Sequence, residues 1–137
     1  MTALRLLPLL FVITAPSAEA SGPVVATSAS AGGTCSMVAT WTGSYSCPGP
    51  LAGRHYTWVM RADGTATGTI DGLGSVQQTW TLANGVLTIT EHNDRCGGEG
   101  KYNVTWAPDC STMKLARISD TCSSRGACVD NLTSTRH

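Results

Sequence analysis

Glu91 is the one carboxylate, and Arg117 the one guanidinium, that strand alternation turns toward the apolar side of the predicted sheet. An inward charge left alone is costly, so the two are expected to pair. The same alternation brings Tyr56, Gln78 and Tyr102 to their level, with Trp58 and Trp80 on the same face. Apolar walls with a few converging polar groups are the usual form of a small-molecule site. Tyr56, Trp58, Gln78, Trp80, Glu91, Tyr102 and Arg117 are therefore the candidate ligand-binding residues. Catalysis asks for more than this set offers. Glycoside cleavage normally uses two carboxylates, and only Glu91 points inward. The chain has no Gly-x-Ser-x-Gly elbow, phosphate loop, His-Glu-x-x-His or EF-hand pattern. His92-Asn-Asp94 beside Glu91 has a composition that suits a cation, and suits a plain polar loop equally well. No catalytic residue, cofactor or metal is expected.

Two hairpins must position these side chains. The first runs from His55 to Ile70 around Ala62-Asp63-Gly64, and the second from Ser75 to Glu91 around Asn84-Gly85. A three-residue loop with Gly64 left-handed pairs Met60 with Ala66, Trp58 with Gly68 and Tyr56 with Ile70. A two-residue Asn84-Gly85 turn pairs Leu82 with Leu87, Trp80 with Ile89 and Gln78 with Glu91. Each apolar face then closes on itself. Further strands are read at Ala39–Tyr45, Lys101–Ala107, Thr112–Ile118 and, more weakly, Val129–Thr135. Asp120–Cys128 is read as a loop. If Trp106 faces Met113, then Val104 meets Leu115 and Tyr102 meets Arg117. Eight short strands with local links predict an all-β, antiparallel up-and-down barrel rather than a sandwich with long crossovers.

Residues 1–20 carry the pattern of a cleaved signal peptide, with Arg5, an apolar run and Ala18-Glu-Ala20. Residues 21–34 read as a flexible linker, and 35–137 as the barrel domain. A secreted or periplasmic location follows, and with it disulfides among Cys35, Cys47, Cys96, Cys110, Cys122 and Cys128. In a meander the links alternate between ends. That leaves Cys35 and Cys110 together at the tight-turn end. Cys47, Cys96, Cys122 and Cys128 gather at the loop-rich end, where Cys47–Cys96 with Cys122–Cys128 is one arrangement of three. The nine basic and nine acidic residues are dispersed, which argues against nucleic acid as a partner. The apolar run is too short to embed the chain in a membrane.

Over about residues 35–135 the pattern resembles the lipocalin-like, calycin-type barrels. The resemblance rests on Trp41 within Ala39-Thr-Trp-Thr-Gly43, on the Asp63-Gly64 hairpin, and on Trp80-Thr-Leu-Ala-Asn-Gly-Val-Leu-Thr-Ile89. The avidins are similar in Cys35-Ser-Met-Val-Ala-Thr-Trp41 and Gly64-Thr-Ala-Thr-Gly-Thr-Ile70, although Gly43 stands where they carry an asparagine for biotin. Small periplasmic barrels that inhibit proteases are a third relative by architecture. These resemblances imply a non-enzymatic binding module holding a small apolar or amphipathic ligand. The alternative is a protein-directed role, protease inhibitor or surface protein, with the barrel filled by Trp41, Trp58, Trp80 and Trp106.

Overall fold

Tight turns set the register of the whole sheet. At Asn84 and Gly85 φ is 51° and 76°, the two left-handed residues that a two-residue hairpin turn requires. At the first hairpin Gly64 takes φ 80°, and Asp63 Oδ1 accepts from the Thr65 amide at 2.9 Å. The structure, a computed structural model, describes residues 29–30, 33–93 and 96–137. The signal-peptide reading of 1–20 lies outside the described residues. Of the 21–34 linker, only a short antiparallel ladder is described, Ala29–Ser30 against Gly33–Thr34.

Eight strands follow: β1 (Ala39–Ser44), β2 (His55–Met60), β3 (Thr65–Ile70), β4 (Gly74–Ala83), β5 (Val86–Glu91), β6 (Gly98–Trp106), β7 (Thr112–Asp120) and β8 (Thr133–Arg136). Each pairs antiparallel with the next, and β8 pairs with both β7 and β1, closing the barrel. The expected pairs are all present. Met60 faces Ala66, Trp58 faces Gly68 and Tyr56 faces Ile70. Leu82, Trp80 and Gln78 face Leu87, Ile89 and Glu91. Trp106, Val104 and Tyr102 face Met113, Leu115 and Arg117.

Alternation along these strands buries Met60, Ala66, Leu82, Leu87 and Met113 toward the tight-turn end. Trp41, Trp58, Trp80 and Trp106 are all buried as well, with the Trp41 and Trp106 rings 5.5 Å apart. The lower barrel is therefore packed with indole, each such ring contributing a large buried apolar area.

Two readings are corrected. Residues 123–129 are not loop and strand but a short helix, α1 (Ser123–Val129), and β8 starts only at Thr133. The helix sits at the loop-rich end with Arg125, Gly126, Cys128 and Val129 buried. The helix also decides among the three cysteine arrangements that the sequence leaves open. Cys122 and Cys128 stand at opposite ends of α1, about 9 Å apart along its axis, whereas a disulfide needs Cα atoms roughly 4.4–6.8 Å apart. The bridges are Cys47–Cys128 and Cys96–Cys122, beside the expected Cys35–Cys110. The second correction is at Arg117, which pairs with Tyr102 on the backbone, yet its side chain is exposed rather than inward. The register slips just beyond it, Lys101 facing Ser119, which leaves Ile118 as a bulged residue. The slip turns Asp120, opposite Gly100, to the inside instead.

Candidate functional site

Four links meet at the loop-rich end, and between them lies a cleft of about 520 Å³. One wall is apolar, made by Ile70 of β3, Val76 of β4, and Leu73 in the turn between them. Leu51, from the loop after β1, and Val129 of α1 add to it, as does the ring of Tyr45. The polar part of the lining includes Glu91, Asn93, Ser124 and Arg125. Leu73 is 55% exposed, so the cleft opens to solvent at its β3–β4 rim.

The polar wall is a connected network. Glu91 ends β5 facing inward, where Gln78 Nε2 donates to its Oε1 at 2.8 Å and Asn93 Nδ2 to its Oε2 at 2.9 Å. Arg125 projects inward from α1. Its Nε and Nη2 donate to Asp120 Oδ2 and Oδ1 at 2.9 and 2.7 Å, a two-pronged pair whose side chains are 6% and 0% exposed. The same guanidinium donates to the Cys96 and Gly98 carbonyls, at 3.1 and 3.2 Å. Arg125 thus ties α1 to β7 and to the loop before β6. Its Nη1 lies 3.7 Å from Glu91 Oε1, so the partner expected in Arg117 is supplied by Arg125.

Tyr102 completes the chain by donating its hydroxyl to Asp120. Glycine makes that approach possible. A Cβ on Gly100 would stand 2.6 Å from Asp120 Oδ2 and 2.9 Å from the Tyr102 ring. Two disulfides hold the frame: Cys96–Cys122 clamps the start of α1 and Cys47–Cys128 its end. Those clamps matter because the helix has seven residues and no side-chain cap, too little to stand by its own propensity.

Burial inside this frame moves the titrations. Burial would push the Asp120 carboxyl up, but hydrogen bonds from Arg125, Tyr102 and the Cys122 amide outweigh it. The group is held below the usual carboxylate range. A depressed folded pKa means that Asp120 stabilises the fold above its unfolded value of about 4 and loses that contribution as pH falls further. Acidification from pH 5 to 2 should therefore loosen α1, and Asp120→Asn should flatten this part of an acid-unfolding curve followed by near-ultraviolet circular dichroism.

The phenols shift the opposite way. Burial pushes Tyr56 up to about 12, against a lowering from its Ser134 hydrogen bond. Burial also raises Tyr45, helped by the neighbouring Tyr56 and Glu91, and raises Tyr102, helped by Asp120. Tyr45, Tyr56 and Tyr102 are the chain's three tyrosines. A raised folded pKa contributes stability that is complete below about pH 10 and is lost as pH climbs toward the folded value. A spectrophotometric titration should show no phenolate step near pH 10. Phenolate should appear only above it, together with loss of tryptophan near-ultraviolet signal. A full phenolate step at pH 10 with the fold intact would contradict this burial.

The cleft takes up one of the seven residues proposed from the sequence, Glu91. Gln78 is buried directly behind it, and Trp58 packs its indole beside Gly68, which lines the cleft. Tyr56, Trp80 and Tyr102 are buried in the barrel, while Arg117 lies outside, against Gly126 of α1. His92 is exposed, with Nε2 3.4 Å from Thr79 Oγ1, and Asp94 lies outside the described residues. Sequence reasoning missed Arg125. A signal was there, since it is the one charge between Cys122 and Cys128 and two bridges at the mouth would pin it in place.

Neither a protein-family model nor a curated protein nor a solved structure matches this chain.

Proposed function

We propose that the chain is an exported, non-enzymatic binding module that holds a small amphipathic ligand in the cleft at the barrel mouth. The observation that carries this reading is the cleft itself, about 520 Å³ and lined by both apolar side chains and a buried polar network. Small-molecule sites usually measure roughly 300–1,000 Å³ and combine these two kinds of surface. A packed lower barrel supports a ligand at the mouth rather than along the barrel axis. Three disulfides support export, because such bridges persist in oxidising compartments, secreted or periplasmic. The lipocalin-like resemblance points the same way.

Native mass spectrometry of the protein purified from its own source tests the proposal. The expected result is a retained small-molecule mass that disappears on denaturation. A bare protein mass, with no shift when amphipathic small molecules are added, would move the reading to the protein-directed alternative.

A further inference from the structure

We propose that the cleft selects a cationic ammonium head carried on an apolar tail. This rests on the small-ligand reading above and adds the chemistry of the head. The hydrogen-bonding capacity of the polar lining decides the head.

A guanidinium has five N–H donors. In Arg125, Nε donates to Asp120 Oδ2, Nη2 to Asp120 Oδ1 and the Gly98 carbonyl, and Nη1 to the Cys96 carbonyl. The one remaining N–H is on Nη1, the nitrogen 3.7 Å from Glu91 Oε1. Its charge is matched by Asp120 beneath it. Arg125 is spent as an anion receptor, although it lines the cleft.

Acceptors are in surplus. A carboxylate offers about four lone-pair sites. Glu91 uses one on Oε1 for Gln78 and one on Oε2 for Asn93. Gln78 Oε1, on a residue only 4% exposed and set behind Glu91 rather than in the cleft, has no hydrogen-bond partner among the described residues and adds acceptor character to the same cluster. Charge tells the same story. Among the described residues of this network two carboxylates, Glu91 and Asp120, face one guanidinium. The unused acceptor sites of Glu91 are satisfied by a donor that brings positive charge. A carboxylate head would set acceptor against acceptor there. The tail has Leu51, Ile70, Val76 and Val129 to lie on.

The test uses a matched set, octylamine, octanol and octanoate, titrated at pH 7 and constant ionic strength into the disulfide-intact chain, with binding read by NMR. Octylamine should bind at least about tenfold tighter than octanol, with octanoate weakest. Glu91→Gln should collapse the octylamine-to-octanol ratio to within about threefold. Glu99→Gln, which removes an equal charge from an exposed pair with Lys101, should leave that ratio intact. If Glu91→Gln does not fold, the ranking in the unaltered protein decides alone. Octanoate binding as tightly as octylamine, or a ratio indifferent to Glu91→Gln, overturns the ammonium head and leaves small-ligand binding standing. Silence from all three compounds, with no retained mass in the native spectrum, overturns both.

Discussion

Arg125→Met should lower the stability of the fold by about 3–5 kcal/mol, the usual cost of breaking a buried ion pair from one side. The Asp120 side chain is 0% exposed, so water cannot replace what the guanidinium supplied. The variant also abandons the Cys96 and Gly98 carbonyls, which hold the loop before β6 against α1. Two features separate this expectation from a general packing loss. Adding Asp120→Asn should recover part of the deficit, because no uncompensated charge is then buried. The deficit of the single variant should also shrink as pH falls, since Asp120 without Arg125 can be protonated more easily. Urea denaturation at pH 7 and pH 4 measures both. A loss below about 1 kcal/mol, the range of exposed pairs, would mean that the pair is solvated and α1 is not docked through it.

That helix marks the boundary of what the sequence made legible. The barrel could be read because its register is local. Gly64 and the Asn84-Gly85 pair each fix a hairpin, and period-2 alternation carries the faces outward from there. The residues of α1 do little by themselves to specify a helix. Ser123-Ser-Arg-Gly-Ala-Cys-Val129 contains a glycine, has no side-chain cap and spans seven residues. Its conformation comes from two disulfides that reach back to Cys47 and Cys96 and from Arg125 closing on Asp120, five residues earlier at the end of β7. The error at Arg117 has the same origin. Counting by twos along β7 holds for the pairing as far as Arg117, whose side chain lies against Gly126 of α1, and fails at Ile118, where one extra residue brings Asp120 to the inside. Cysteine sorting by barrel end survived because it needed only the topology, whereas pairing within the loop-rich end needed the helix.

Gly43→Ala should cost about 2–4 kcal/mol, combining overpacking with a lost buried hydrogen bond. In a domain of this size the melting temperature should then fall by roughly 10–25 °C. The seam between β8 and β1 is the barrel's thinnest, with two paired residues on the β1 side, Thr42 and Trp41. Tyr56 reinforces it from β2. Its ring crosses β1 at Gly43, its cross-strand partner, and places the hydroxyl 2.6 Å from Ser134 Oγ on β8. Ser134 is fully buried, so that contact is its compensation for leaving water. A Cβ on residue 43 would sit 2.5 Å from the Tyr56 hydroxyl and 2.8 Å from the Thr133 carbonyl, so neither the lock nor the β8 backbone can stay where it is. Tyr56→Phe should cost only about 1 kcal/mol, because the ring still fills its place while one hydrogen bond is lost. The double variant separates the two effects. Removing the hydroxyl relieves the closest clash but leaves the carbonyl contact, so the combined loss should be smaller than the sum of the single losses. Strict additivity in thermal melts would mean that Tyr56 and Gly43 act independently and that the seam is closed by backbone pairing alone.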